Sequence, residues 1–148
     1  LTWETARRIG CGWWLTHPDA LRTFAEVVSR NHWRKANNPH DCFLYYLALG
    51  KRKLMQTLWK QASGHPEQQL MSNFLSQEPS DKWRKSAAKN AFVLLGKQRF
   101  ELAACFFLLA ESNADAVTVC IRNLRDPQLA LLLVKLLGEP VGPVLQQI

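Results

Sequence analysis

The sequence predicts an all-α chain, on three observations. Helix-start signatures recur along its length, glycines stand where those helices should stop, and no stretch shows the Val/Ile/Thr alternation that strands need. A first helix is placed at residues 3–11. The next, at 18–35, begins at Thr16-His17-Pro18-Asp19, which offers a Thr hydroxyl cap, a proline near the first turn and an acid three positions after the cap. Its apolar residues Leu21, Phe24 and Val28 fall at helical spacing. Asn38-Pro39-His40-Asp41 repeats the start signature for a helix at 40–49, and Gly50 closes it. Helices at 52–62 and 67–75 are separated by Gly64 and Pro66. Pro79-Ser80-Asp81 opens a helix at 80–95, striped by Trp83, Ala87, Ala91 and Leu95 and stopped by Gly96. Helices at 98–110, 113–123 (Ser112 with Asp115) and 127–137 (Asp126-Pro127, stopped by Gly138) complete seven to nine helices. Residues 139–148 are expected to form a flexible tail.

The connections implied are two to five residues long, so consecutive helices must fold back as antiparallel hairpins. Leu49-Gly50-Lys51-Arg52 aligns with Leu95-Gly96-Lys97-Gln98, and Leu137-Gly138 offers a third copy, at separations of 46 and 42 residues. That spacing suits a two-helix, α-solenoid-like repeat, so the expected architecture is stacked hairpins in a single domain over residues 1–148. Segments 100–109 and 129–137 are apolar nearly all round and call for neighbours on several sides. Phe100, Ala104, Phe107 and Leu108, with Leu129, Leu132, Leu133 and Leu136, are the expected most buried layer.

At 148 residues the chain is long enough to bury a core without disulfide or metal. Its longest apolar run, Leu102 to Ala110, is far too short to span a bilayer, and the N-terminus has no signal-peptide layout. Cys11, Cys42, Cys105 and Cys120 are widely separated with no C-x-x-C pair, which predicts reduced thiols, no disulfide, no bound metal and a cytoplasmic setting. The chain begins at Leu1 rather than Met, and is therefore expected to be a fragment of a larger scaffold.

Lys and Arg number 19 against 12 Asp and Glu, for a net charge of +7. Ten basic and five acidic residues lie before Phe74, nine and seven from there on. The bias to the first half admits an acidic protein partner or nucleic acid. Phosphate loops, nucleophile elbows and the H-E-x-x-H zinc motif are all missing, and His32, His40 and Cys42 match no common zinc spacing. His40 reads as a first-turn residue and Cys42 as core, while His17 and His65, each before a proline, should be exposed. No catalysis, cofactor or small-molecule substrate is expected.

Six tryptophans all lie in the first 83 residues, each near basic side chains. Stacking on bases would suit nucleic acid, whereas filling gaps between helices suits a structural role, which is favoured for most of them. Trp13-Trp14 is the exception, because adjacent helical side chains point about 100° apart and rarely share one core. One of the two is expected to face a partner. Function is accordingly expected in protein contacts by the basic, Trp-rich half, with Trp13, Trp14, Arg7, Arg8, Lys51, Arg52 and Lys53 as candidates; the alternative is a basic helical module that binds nucleic acid.

The run Trp83-Arg84-Lys85-Ser86-Ala87-Ala88-Lys89-Asn90-Ala91-Phe92, continuing through Leu95-Gly96-Lys97-Gln98-Arg99-Phe100-Glu101, resembles the helical region of the large RAVE-complex subunit and the DmX-like (rabconnectin-3 alpha) proteins. Asp115-Ala116-Val117, Val119-Cys120, Asp126 and Gln128-Leu129-Ala130 continue the likeness in order, and Arg7-Arg8-Ile9 with Cys11-Gly12-Trp13-Trp14 is similar to the family's upstream segment. Segments 61–69 and 138–148 depart from the pattern. The resemblance implies a non-catalytic scaffold segment following WD-type propellers, in a regulator that promotes assembly of the vacuolar-type proton ATPase. Its implied partners are V-ATPase subunits and other RAVE or rabconnectin components. It further implies recruitment from the cytoplasm to vacuolar, endosomal or synaptic-vesicle membranes.

Overall fold

A computed structural model describes all of residues 1–148, in eleven helices and no strand. They are α1 (Trp3–Arg8), α2 (Cys11–Trp14), α3 (Pro18–Ala36), α4 (Pro39–Ala48), α5 (Arg52–Gln61), α6 (Gln68–Ser76), α7 (Asp81–Gly96), α8 (Phe100–Leu109), α9 (Asn113–Arg122), α10 (Pro127–Leu137) and α11 (Gly142–Gln147). Eight of these have seven or more residues, and they match the expected helices to within about two residues at each end. The helix expected at 3–11 is instead two short ones, because Gly10 takes a left-handed φ of 77° and ends the first turn run. Residues 142–147 add a short helix that seats Val144 in the core.

Helix starts follow the local chemistry. The side chains of Asn38, Ser80 and Asp126 accept the backbone N–H groups of His40, Trp83 and Leu129. At α3 the cap is His17 rather than Thr16: its Nδ1 accepts from the Ala20 N–H. Four of the stops share one geometry. After α4, α7, α8 and α10 a left-handed residue lets the next N–H reach back to the carbonyl five residues before it: Lys51 to Tyr46, Arg99 to Leu94, Ser112 to Phe107 and Glu139 to Val134. The left-handed residues are Gly50, Gln98, Glu111 and Gly138. Gly96 is therefore not a stop but the last helical residue of α7, and the position equivalent to Gly50 is Gln98, two residues later.

Consecutive helices fold back on one another throughout α3–α4–α5–α6 and α7–α8–α9–α10. Two further packings join those runs: α4 lies on α8, and α10 reaches back to α2, α3 and α4. The core is one continuous cluster. Within it Ala104, Phe107, Leu129, Leu132, Leu133 and Leu136 are buried as expected, whereas Phe100 and Leu108 are only partly covered at its edge. α4 belongs with the most buried helices too, because Cys42 through Leu49 are all buried. That segment is apolar all round, and its neighbours α3, α5, α8 and α10 cover every side. All four cysteines are buried free thiols, and burial pushes that of Cys42 up to about 12.

Most of the tryptophans fill gaps. Trp3, Trp59 and Trp83 are buried and Trp33 is half-buried. Trp83 stacks on Phe74, donates its Nε1–H to the Phe74 carbonyl (3.0 Å) and carries the Arg52 guanidinium 4.9 Å above its ring.

Two polar side chains, His32 and Glu67, pin separate helix ends together. His32 accepts the Trp3 N–H on Nε2 (3.0 Å) and donates from Nδ1 to the Asp41 carbonyl (3.0 Å), an arrangement that needs a neutral ring; burial lowers its pKa accordingly. Glu67 takes a two-pronged contact from Arg99 (2.9 and 3.0 Å) and a third hydrogen bond from His40 Nε2 (2.9 Å). His65, expected to be exposed, is half-buried against the rings of His40 and Trp59.

The Arg99 hydrogen bonds, helped by His40, hold the Glu67 carboxyl down at about 2, against an ordinary 4.5. A carboxyl depressed on folding stabilises above its unfolded-state value and loses that contribution as pH falls toward the folded one. With Glu67 a quarter exposed, about 2 kcal/mol is at stake. Urea titrations between about pH 5 and pH 2 should therefore show Glu67→Gln starting less stable than the parent and losing about 2 kcal/mol less across that window. Parallel acid limbs for the two proteins would show that the cluster contributes nothing.

Candidate partner-binding surface

The paired tryptophans sit on α2, a helix of barely one turn that could not stand alone. Its ends are satisfied from far along the chain. Gln128 accepts the Gly12 N–H on Oε1 (3.1 Å) and donates from Nε2 to the Arg7 carbonyl (3.0 Å), bridging the end of α1 and the start of α2. Lys135 donates its ammonium to the Gly12 and Leu15 carbonyls (2.9 and 3.0 Å), and burial lowers its pKa. Asp126, itself buried, accepts the Trp3 indole N–H at 2.8 Å and the Arg7 guanidinium at 3.3 Å. Gly12 lies so close to α10 that a Cβ there would come within 2.5 Å of the Gln128 Cβ and 2.8 Å of its carbonyl oxygen. Only glycine permits this approach.

With Cys11 and Gly12 turned inward, the 100° step per residue turns the next two side chains out. Trp13 and Trp14 are 47% and 60% exposed, so both members of the pair face solvent where one was expected. Trp14 donates its indole N–H to the Ile9 carbonyl (3.0 Å), and Ile9 is itself 61% exposed. Ile9, Trp13 and Trp14 thus make an apolar knuckle on a rigidly capped elbow. Sequence reasoning missed Ile9; the signal was the Ile9-Gly10 step, where a left-handed glycine turns the preceding side chain away from the core stripe.

The basic candidates separate into two groups. Arg8 lies at the elbow in an exposed pair with Glu4 (3.3 Å), and Arg7 is half-exposed beside Asp126. Lys51 pairs with Glu26 of α3 (3.1 Å). Arg52 is used inside the fold, donating to the Leu75 and Gln77 carbonyls (2.9 and 3.0 Å) over Trp83. Lys53 is exposed and in no ion pair. No hydrogen bond, ion pair or ring contact joins the two groups: α1 and α2 pack on each other and α10, whereas α5 packs on α4 and α6.

No three His, Cys, Asp or Glu side chains stand together so as to hold a metal ion, and no helix is long and apolar enough to cross a membrane. What the arrangement can do is present a rigid aromatic surface to another macromolecule.

Over residues 1–148 the chain matches the family described as RAVE protein 1 C terminal. It is 37% identical to Regulator of V-ATPase in vacuolar membrane protein 1 of Saccharomyces cerevisiae across 99% of its length, and 38% identical to the Schizosaccharomyces pombe protein of that name across 100%. Human DmX-like protein 1 is 40% identical across 91%. The chain spans only 11%, 12% and 4% of those three relatives.

Proposed function

From the premise that the chain belongs to the RAVE protein 1 C-terminal family, we propose that it is a non-catalytic scaffold segment that helps a larger regulator assemble the vacuolar-type proton ATPase through protein contacts. The observation that carries this reading is the Ile9–Trp13–Trp14 knuckle. Large rigid aromatics on a fixed support lose little conformational entropy on docking and commonly dominate interface energetics. Lys53, with no acidic partner, and the partly exposed Arg7, Arg8 and Lys51 behind Asp126, Glu4 and Glu26 add to a net positive first half that would attract an acidic subunit surface at long range. Arg52 contributes to folding rather than steering. The setting that goes with the reading is the cytoplasmic side of a vacuolar or endosomal membrane, reached through partners.

Surface-immobilised ATPase subunits provide the test. Trp13→Ala with Trp14→Ala should weaken binding by roughly thirtyfold, the equivalent of a 2 kcal/mol hot spot, mainly through faster dissociation. Lys51→Glu with Lys53→Glu should instead slow association and flatten its salt dependence. Circular dichroism would show that the exposed substitutions leave the helices intact. If folded variants bind the subunits like the parent, while duplex DNA or RNA binds the parent with a steep salt slope, the nucleic-acid alternative replaces this one.

A further inference from the structure

Although α6 and α7 are successive, α6 leans on α5 and α7 on α8. They meet where Phe74 stacks on Trp83 at 4.8 Å. Beyond that contact a trough of about 210 Å³ lies between them, floored by Leu102 and Phe106 of α8 and walled by Leu70 and Val93. Both wall residues are largely exposed, Leu70 at 68%. Drug-sized ligands need roughly 300–1,000 Å³, so this space suits one or two apolar side chains carried in by a larger partner.

The two lips differ in charge. α6 has no charged residue between Gln68 and Ser76. On the α7 side the trough is lined by Asn90, Val93 and Leu94, and by Lys97 just past the helix end. Lys82 and Lys89 stand on the adjoining outer face of α7, since positions 82, 89 and 93 follow one another at near-whole turns. The three lysines are exposed and in no ion pair. The one carboxylate lining the trough, Glu67, is already neutralised by the two-pronged Arg99 contact. An apolar slot rimmed by the unpaired Lys97, with the unpaired Lys89 on the face beside it, is complementary to a helix with an apolar stripe and acidic flanks. A flat anionic bilayer matches the charge but not the recess, because its surface cannot reach Leu102 and Phe106 between the two helices.

We propose that the α6–α7 trough docks an acidic amphipathic helix of a partner protein, with apolar side chains at i, i+3 or i+4 seated between Leu70 and Val93 and its carboxylates on Lys97 at the rim and Lys89 on the adjoining face. This surface is separate from the Trp13–Trp14 elbow and does not rest on the function proposed for it.

The probe is a fluorescently labelled synthetic helical peptide with leucines on one stripe and glutamates elsewhere, titrated with the 148-residue chain and read by anisotropy. Saturable binding is expected, at least tenfold weaker for a control peptide carrying Lys in place of Glu. Leu70→Asp should weaken binding at least tenfold, and Lys89→Glu with Lys97→Glu should both weaken it and flatten its salt dependence; these side chains are exposed, so circular dichroism should be unchanged. Trp13→Ala with Trp14→Ala should leave peptide binding intact, which keeps failure here distinct from failure of the elbow. No peptide binding, or binding indifferent to the trough variants, overturns the proposal. So does sedimentation with phosphatidylserine vesicles that is lost on lysine reversal while the peptide fails to bind, since that result assigns the lip to a membrane.

Discussion

Asp126→Ala is expected to lower stability by about 3 kcal/mol, far more than a lone surface ion pair could account for. The carboxylate does three things at once: Oδ1 caps α10 through the Leu129 N–H, and Oδ2 accepts both the Trp3 indole and Arg7. Losing the cap costs about 1 kcal/mol, and leaving the buried Trp3 N–H without a partner costs about 1 to 3 more. Arg7 is 48% exposed, so its share is small. Asp126→Asn separates these contributions. An amide can keep the oxygen on Leu129, but it then points an N–H₂ group at the Trp3 donor. Its expected loss is about 1 to 2 kcal/mol, and most of that should vanish in a Trp3→Phe background, where no indole N–H awaits a partner. Urea unfolding of the parent, both Asp126 variants, Trp3→Phe and the Asp126→Asn/Trp3→Phe double variant measures each value. A loss below about 1 kcal/mol for Asp126→Ala would show that the seam between α1 and α10 is not a stabilising element.

The largest effect is expected at Phe107. Its ring is buried in α8, the helix that α4, α7 and α9 all pack against. Truncation to Ala should cost about 3 to 5 kcal/mol, through lost burial and a cavity that three neighbouring helices cannot collapse to fill. Phe92 packs edge-on against it at 5.1 Å but is itself mostly exposed. Phe92→Ala should therefore cost only about 1 kcal/mol, since an aromatic pair adds roughly 0.5 to 1.5 beyond its burial. Thermal or urea denaturation of the two variants gives a direct comparison. Equal losses would mean that α7, rather than α8, carries the packing.

Much of the fold was legible because the signals are local. Asn38, Ser80 and Asp126 cap helices by reaching two or three residues ahead, and Trp83, Ala87 and Ala91 share a face because 3.6 residues make a turn. Where reading failed, a local rule met a competing one. Gly96 looked like a stop, but the helix ran on through it and Gln98 took the left-handed turn. The left-handed turns at Gln98 and Glu111 carry no glycine, so nothing in their composition announces them. Thr16 and His17 could each cap α3, and a one-residue choice of that kind depends on how the preceding chain arrives.

The candidate surface was only half legible. A Trp-Trp pair announces that one ring is awkward to bury, because the 100° step is intrinsic to a helix. That both rings are free depends on Gly12 being pressed against Gln128, which consumes the inward side of α2. Likewise, three basic residues in a row read as a patch, yet Arg52 lies over Trp83 and Lys51 on Glu26, so Lys53 remains the freely available cation.

The sequence by itself therefore determined the helical class, nearly every helix boundary and the residue types of the core, since these depend on backbone propensity and periodicity within a few residues. Tertiary structure alone decided which aromatics are exposed, which cations are spent, and that α6 and α7 leave a trough between them. Those outcomes depend on contacts such as Gly12 with Gln128 and Trp3 with Asp126, separated by 116 and 123 residues. A side chain's freedom is set by whatever the rest of the chain brings against it, and over such separations no local pattern specifies that neighbour.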